Sequence, residues 1–330
     1  MAAVVLGASW SGAGWAFRFV IWVFLAALFA DVIIGVDRSS GSFANATDRT
    51  ARLLTWPWLL VQPALIVAGL LAVSRAQELP HAFLVTSIAV GATGGMFGIP
   101  VAHELMHRRS RVDRFFAGAL MTLFSYAHFC IEHVEGHHPN VGTPADPATA
   151  RQGESLYAFL PRTVFGGLID AWRLERARLG RLDRTMVSPF NRMLWYALAL
   201  GGAYAAVALS FGIVGMLFFA AQGAIAVLII ETLNYIEHYG LVRQQSDDRV
   251  EAVSYQHSWD AGYAVSGWLL FNVSRHSDHH VHPHKPYLSL DNHPQAPQLP
   301  AGYFSLFVLA LFPPLWRKVI DPRLDSEGVS

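Results

Sequence analysis

Long apolar segments constrain the fold of this chain more than any other feature of its sequence. A helix needs roughly 20 apolar residues to cross a bilayer, and several runs approach that length. The stretch 194–230 is too long for one crossing and contains Gly212, so it predicts two helices joined by a tight turn. The sequence therefore predicts an all-α, polytopic membrane bundle with five or six transmembrane helices. The five clear spans are 15–36, 53–73, 81–101, 194–210 and 213–231.

The composition agrees with a membrane protein and excludes several other classes. Hydrophobic residues make up 53% of the chain and charged residues only 15%, against about 25% in soluble domains. Positive and negative side chains balance to a net charge of zero, so no basic field favours nucleic-acid binding. A single cysteine, Cys130, is too few for a disulfide, a thiolate zinc site or an iron–sulfur centre. Any thiolate-bound redox centre must therefore belong to a separate protein.

A further apolar run, 115–131, lies between two groups of histidines and decides the topology. A crossing there would put the two groups on opposite sides of the membrane, so a shared metal site requires this run to be interfacial or buried. Arginines are concentrated on the histidine side, between residues 108 and 114 and between 162 and 192. Because cytoplasmic loops carry the excess of basic residues, the histidine face is predicted to be cytoplasmic. We expect one membrane-embedded domain, 1–330, with a cytoplasmic cap from 102–192 and 232–300.

Histidine is concentrated in three short windows whose spacing is typical of metal ligands. His103-Glu104-Leu105-Met106-His107 places two histidines four residues apart, and on a helix these project from one face. Neutral imidazole is a common ligand of transition metals, and three windows on one predicted face indicate a metal site better than a solvated surface. The two later windows contain His133, His137 and His138, and His276, His279 and His280.

A fourth segment adds one more histidine. His238 follows the last predicted span on the histidine side, where a lone histidine is either a ligand or an ordinary interfacial residue. Nine imidazoles exceed the four ligands of one zinc ion, so two metal ions are predicted, which suits dioxygen activation or a two-metal hydrolysis. Carboxylates beside these histidines either orient the rings or pair with surface arginines. These candidates are Glu104, Glu132, Glu135, Glu237 and Asp278.

Other polar residues of the apolar segments have simpler interpretations. Asp31 lies inside an apolar run, where it is expected to face the bundle because a carboxylate facing lipid is costly. His128 lies close to the second window, where its ring is able to hydrogen-bond to a histidine that binds metal. His81 lies at the opposite end of its span from the histidine windows, so it is not expected to bind metal.

The first window also permits a different class of enzyme. Alone, it is the HExxH pattern of zinc peptidases, in which Glu104 would act as the general base. Such a membrane peptidase needs one zinc ion and a third ligand, so it leaves the later windows unexplained. A metal transporter is a weaker alternative, because its ligands should lie near the middle of the membrane.

Four segments together resemble the integral-membrane alkane 1-monooxygenases, within the wider group of membrane desaturases and hydroxylases. They are HELMH, EHVEGHHPNVGTPADPATARQGES, LNYIEHYGL and QHSWDAGYAVSGWLLFNVSRHSDHHVHP, and the likeness runs from about residue 50 to 320. The resemblance implies a non-haem centre of two iron ions on the cytoplasmic face, with no bound organic cofactor. The iron ligands that it implies are His103, His107, His133, His137, His138, His238, His276, His279 and His280.

The same resemblance implies the reaction and its partners. The expected activity is hydroxylation of a terminal methyl group, converting a medium-chain n-alkane to a 1-alkanol with O2 and two electrons. Alkane enzymes receive these electrons from a rubredoxin with an NADH-dependent reductase, whereas the similar xylene monooxygenases use an iron–sulfur reductase. The expected location is the inner membrane of a bacterium, and contact with nucleic acid is not expected.

The chain departs from the alkane enzymes in two respects. Its first motif, HELMHRR, has methionine and arginine where those enzymes usually have glycine and lysine. An alkyl-aromatic methyl monooxygenase and a lipid desaturase therefore stay alternatives. The alkane enzymes usually have six spans, so we expect either five spans here or a start further upstream.

Overall fold

The computed structural model describes residues 13–37, 48–246 and 249–327, and its regular structure is almost entirely helical. The predicted all-α class is confirmed. Two π-helical segments cover Gly94–Gly98 and Glu132–His137, and β1 (Gln245–Ser246) pairs antiparallel with β2 (Arg249–Val250). The α-helices are α1 (Ala13–Ile34), α2 (Asp48–Thr55), α3 (Trp58–Ser74), α4 (Leu79–Thr93), α5 (Ile99–Met106), α6 (Arg111–Leu123), α7 (Phe129–Ile131), α8 (His138–Asn140), α9 (Leu156–Arg181), α10 (Arg192–His238), α11 (Ala264–Leu269), α12 (His276–Val281), α13 (Tyr303–Ala310) and α14 (Pro313–Glu327).

Four helical stretches among the described residues are long and apolar enough to cross a membrane. The longest has 47 residues, about twice the length of one span. It bends at Gly212, whose φ of 64° is readily adopted by glycine and interrupts the helix where the sequence predicted a turn. The chain is thus a multi-pass membrane protein. The four stretches are Gly14–Ile34, Arg49–Ser74, Leu79–Met106 and Arg192–His238.

The described residues fall into two compact units. The first unit contains 13–26, 52–130 and 175–230. The second unit contains the remaining described residues, 27–37, 48–51, 131–174, 231–246 and 249–327.

Helices of the first unit approach closely through glycines. A Cβ atom at Gly91 would lie 2.7 Å from the carbonyl oxygen of Gln222 on α10, and one at Gly95 would lie 2.8 Å from Cβ of Ile229. Small residues at such crossings are typical of membrane bundles, where packing and not water exclusion drives helix association. The π-helical segment that contains Gly95 leads directly into α5, so this packing fixes the start of the helix that carries His103.

The run 115–131 falls largely on α6, whose 13 residues extend about 20 Å, less than the thickness of a bilayer core. Ser110 caps this helix by accepting the Asp113 N–H at 3.3 Å. The Asp113 carboxylate is fully buried and accepts hydrogen bonds from Arg52 Nε and Trp56 Nε1, each at 3.0 Å. These bonds hold α6 against the segment that connects α2 to α3.

Large aromatic side chains form the core of the second unit at the end of α10. Tyr235 and Tyr239 lie against Trp316 of α14, with ring centroids 5.2 and 5.5 Å apart. Asp31, expected to face the interior, is buried and accepts the backbone N–H groups of Val265 and Ser266 at 3.0 and 2.9 Å. It therefore holds the start of α11, and α12 with three candidate ligands follows a few residues later.

Candidate metal centre

Four buried histidines of the second unit form one compact set, which we call the four-histidine group. The ligand nitrogens of its members all lie within 4.8 Å of one another. His276 and His280, four residues apart on α12, have their Nε2 atoms 3.0 Å apart, and His238 Nε2 is also 3.0 Å from His276 Nε2. Two nitrogens bound at right angles to one metal ion at about 2.1 Å would lie about 3.0 Å apart. The group, whose members are His137, His238, His276 and His280, therefore fits a metal ion.

Three further histidines of the second unit form the three-histidine group. His138 Nε2 lies 3.1 Å from Nε2 of both His133 and His279. The two groups adjoin, because the rings of His138 and His280 are stacked with centroids 4.3 Å apart. Adjacent clusters of imidazole nitrogen suit two metal ions close together.

The π-helical segment Glu132–His137 explains how the second window divides between the groups. The sequence suggested that His133 and His137 converge, as residues four apart do on an α-helix. A π-helix has i→i+5 hydrogen bonds and a wider turn, so the fifth residue comes nearest. His133 Nε2 accordingly lies 3.1 Å from His138 Nε2. The rings of His133 and His137 also stack, with centroids 5.1 Å apart, although His137 belongs to the other group.

The first window lies in the first unit, at the end of α5. His103 and His107 are both buried, with ring centroids 4.9 Å apart. Glu104, the base in the peptidase hypothesis, forms a buried ion pair with Arg108 one turn later. A carboxylate held by arginine is a weaker base than an unpaired one, which counts against a peptidase.

Neutral rings are the form that binds metal. Burial lowers the pKa of His280 well below its ordinary value, and the neighbouring rings of His138 and His276 lower it further. The ring is therefore neutral near pH 7 and presents a lone pair. In His137, Nε2 is buried without a hydrogen-bond partner, as expected for a nitrogen reserved for a metal ion.

A carboxylate that the sequence interpretation missed lies against the four-histidine group. Asp146 Oδ2 is 2.8 Å from His137 Nδ1, and both side chains are fully buried. Burial alone would raise the pKa of Asp146, but His137 and hydrogen bonds from Thr149 and Ala148 lower it below its usual value. The signal in the sequence was the turn-forming run Gly142-Thr143-Pro144-Ala145-Asp146-Pro147 directly after the histidine window.

Glu237, one of the predicted carboxylates, lies near a candidate ligand. Its Oε1 is 3.5 Å from His276 Nδ1, beyond the usual range of a hydrogen bond. The same oxygen accepts the hydroxyl of Tyr303 at 2.9 Å. Tyr303 thus holds a buried carboxylate beside the four-histidine group, and the sequence interpretation did not identify this tyrosine.

Asp278 and Glu132 have other surroundings. Asp278 accepts hydrogen bonds from His282 Nδ1 at 2.8 Å and from Lys285 Nζ at 2.6 Å, so its partners lie outside both groups. Burial raises the pKa of Glu132 well above its ordinary value, and the neighbouring carboxylates of Asp146 and Glu231 raise it further. Glu135 is half-buried.

The remaining histidines lie outside the two groups. Burial lowers the pKa of His128 to about 4, and its ring lies edge-on to Tyr126 at 4.6 Å. His257 Nδ1 accepts the backbone N–H of Ser254 at 2.9 Å. His81 is exposed.

Comparison with known proteins identifies related sequences. The family model described as fatty acid desaturase matches residues 78–310. Alkane 1-monooxygenase 2 of Alcanivorax borkumensis is 41% identical over 241 residues, covering 72% of this chain and 63% of the relative. Alkane 1-monooxygenase 1 of Pseudomonas aeruginosa is 36% identical over 321 residues, covering 94% and 84%.

A more distant relative comes from a different substrate class. The xylene/toluene monooxygenase hydroxylase component of Pseudomonas putida is 29% identical over 312 residues, covering 92% of this chain and 83% of that protein. The chain spans less than two thirds of the length of the first relative named above.

Proposed function

This chain belongs to the fatty acid desaturase family, and from that premise we propose that it is a membrane non-haem monooxygenase. The substrate is a hydrophobic molecule with a terminal methyl group, and a medium-chain n-alkane is the first candidate because several relatives are alkane 1-monooxygenases. The observation that carries the proposal is the buried four-histidine group, in which Nε2 of His276 lies 3.0 Å from Nε2 of both His238 and His280, as expected around one metal ion.

We propose that the centre holds two iron ions bound almost wholly by histidine. The four-histidine group holds one ion, and the three-histidine group contributes ligands to the second. Iron would supply the oxidising power toward O2 that amino-acid side chains lack. The proposed ligands are His103, His107, His133, His137, His138, His238, His276, His279 and His280.

The side chains of the protein orient these ligands and exclude water. Histidine ligands are neutral, so the buried carboxylate of Asp146, whose pKa is lowered, offsets part of the charge of the metal ions. Burial of the rings keeps bulk water from the reacting groups. An alkane has no polar group to recognise, so selectivity depends on the shape of an apolar channel.

The reaction needs a partner that supplies electrons. Hydroxylation consumes one alkane, one O2, two electrons and two protons, and it yields one alcohol and one water. Cys130 is the only cysteine and is partly buried, so the electrons come from a separate protein. A rubredoxin with its NADH-dependent reductase is the first candidate donor, and an iron–sulfur reductase is the second.

The proposed location is the inner membrane of a bacterium, with the metal centre on the cytoplasmic face. The support is the excess of arginine between 108 and 114 and between 162 and 192.

Metal analysis and product analysis test this proposal together. The purified full chain is reconstituted with ferrous iron and given octane, O2 and a rubredoxin system. We expect about two iron ions per chain and 1-octanol that requires both O2 and the donor. His276→Ala should lose iron and activity, whereas His81→Ala, at an exposed position, should keep both. One zinc ion per chain with peptide cleavage would contradict the proposal, and an alkene product would indicate a desaturase.

An alkyl-aromatic substrate is the second candidate. It is favoured by the similarity to the xylene/toluene enzyme and by the HELMHRR sequence of the first window. The same assay with xylene in place of octane decides between them. Preferential formation of a benzylic alcohol would show that an alkyl-aromatic molecule is the better substrate.

A further inference from the structure

Asp146 lies at the centre of a closed network within the second unit. Its Oδ2 accepts from His137 Nδ1 at 2.8 Å and from the Thr149 hydroxyl at 2.6 Å. Its Oδ1 accepts the backbone N–H of Ala148 at 2.9 Å. The carboxylate therefore has partners on both oxygens, and its orientation is determined by the loop that carries it.

Thr149 connects this carboxylate to the main chain. Its Oγ1 accepts the backbone N–H of Gly142 at 2.9 Å while its hydroxyl hydrogen points to Asp146. Gly142 and Thr149 belong to the loop that follows the ligand-bearing segment 132–140. The loop and the ligand window are thus joined through one carboxylate.

The direction of the hydrogen bond at His137 determines the state of its ring. Both oxygens of Asp146 already accept hydrogen bonds, from Ala148 and Thr149, so the 2.8 Å contact is assigned to a proton donated by His137 Nδ1. A neutral ring then presents its lone pair at Nε2. That nitrogen is buried and has no hydrogen-bond partner, and His137 belongs to the group whose ligand nitrogens lie within 4.8 Å of one another.

We propose that Asp146 is a positioning residue of this metal centre, which fixes the tautomer and ring orientation of His137 and thereby controls metal binding by the four-histidine group. The inference rests on the proposed function. Histidine ligands whose second nitrogen is held by a carboxylate lose metal affinity about 10–100-fold when that partner is changed. Glu237, 3.5 Å from His276, is too distant to hold its ring in the same way.

Asp146→Asn tests the role with little change of shape. The asparagine amide can donate to Nδ1 and so favour the tautomer in which Nε2 carries a proton and cannot bind metal. Glu251→Gln is the matched control, because Glu251 Oε2 is also near a histidine, 3.4 Å from His257 Nε2, but lies outside both groups. The wild type and both variants are purified as full chains in the same lipid discs, stripped with chelator and titrated anaerobically with ferrous iron.

In Asp146→Asn we expect one iron ion to bind with wild-type affinity and the other about 10–100-fold more weakly. Glu251→Gln should bind both ions as the wild type does. Thermal unfolding of the metal-free proteins shows whether each variant is folded at the temperature of the titration. Two ions of wild-type affinity in Asp146→Asn would overturn the inference, and equal weakening of both ions would overturn its assignment to one group.

Substitutions at Thr149 keep the inference testable if Asp146→Asn does not fold. Thr149→Ser retains the hydroxyl and should retain both ions, whereas Thr149→Val should weaken one of them. Unchanged binding in Thr149→Val would then overturn the inference. A wild type that binds a single ion would refute the proposed two-iron centre, and the role of Asp146 would be judged by whether its substitution weakens that ion.

Discussion

Glu175 on α9 shows how one buried carboxylate joins neighbouring segments of the first unit. Its oxygens accept hydrogen bonds from Arg178 Nε and Nη2 at 2.8 and 2.6 Å, and from the backbone N–H and Nε of Arg192 at 2.7 and 2.8 Å. Burial alone would raise the pKa of Glu175, but these hydrogen bonds lower it to about 2. The carboxylate therefore stays ionised under all ordinary conditions and ties α9 to the start of α10.

This network predicts a loss of stability in acid. The folded pKa of Glu175 lies below that of the unfolded chain, so its stabilising effect is complete above the unfolded value of about 4.5 and disappears as the pH falls toward about 2. Thermal unfolding of the detergent-solubilised protein should show Glu175→Gln less stable than the wild type near pH 7, with the difference shrinking below about pH 4.5. Asp183→Asn is the control, because Asp183 is exposed, and its stability should match that of the wild type at each pH. A difference between the wild type and Glu175→Gln that does not change with pH would refute this explanation.

At the scale of the element, the π-helical segment before α5 depends on close contact with two buried side chains. A Cβ atom at Gly98 would lie 2.7 Å from Gln62 Oε1 and 2.9 Å from Phe124 Cζ. Gln62 and Phe124 are almost completely buried and have little room to move. A larger residue at this position must therefore displace the helix that carries His103.

Gly98→Ala is expected to destabilise the protein by about 1–3 kcal/mol, the usual cost of overfilling a packed core. Gly202→Ala on α10 is the matched control, because no heavy atom outside its own helix lies within 4 Å of a Cβ there. Alanine is the better helix former, so the control should be neutral or slightly more stable. Thermal unfolding in detergent measures both effects. Equal stability of the two variants would show that the contact at Gly98 has no energetic importance.

The helices were more predictable from the sequence than the arrangement of the histidines. The lengths of the apolar runs predicted the helical bundle, and Gly212 predicted the bend of α10, because both features depend on local sequence. The π-helix at Glu132–His137 was not predictable, since two histidines four residues apart indicate one face of an ordinary α-helix. Its stability depends on contacts distant in sequence: a Cβ at Gly136 would lie 2.8 Å from Asp170 and 3.0 Å from Leu174. Asp146 was missed for the same reason, since only folding brings this loop carboxylate against His137.

At the scale of the whole molecule, the arrangement of spans and arginines predicts which loops face which side. The loop between Arg49–Ser74 and Leu79–Met106, and the bend at Gly212, should face away from the cytoplasm. The segments after Met106 and after His238 should face the cytoplasm. Cys130 does not interfere with labelling, because burial raises the pKa of its thiol to about 12 and keeps it in the unreactive form.

Single introduced cysteines test this topology in intact cells and in inverted membrane vesicles. Gln152 and Gln77 are both exposed, on opposite predicted sides. Gln152→Cys should react with a membrane-impermeant maleimide only in inverted vesicles, and Gln77→Cys only in intact cells. The unsubstituted chain should react in neither, since a thiol of high pKa provides little thiolate. Labelling of Gln152→Cys from outside intact cells would place the loop after the second histidine window on the wrong side of the membrane. The proposed cytoplasmic metal centre would then be wrong, because electrons from a cytoplasmic donor would have to cross the bilayer.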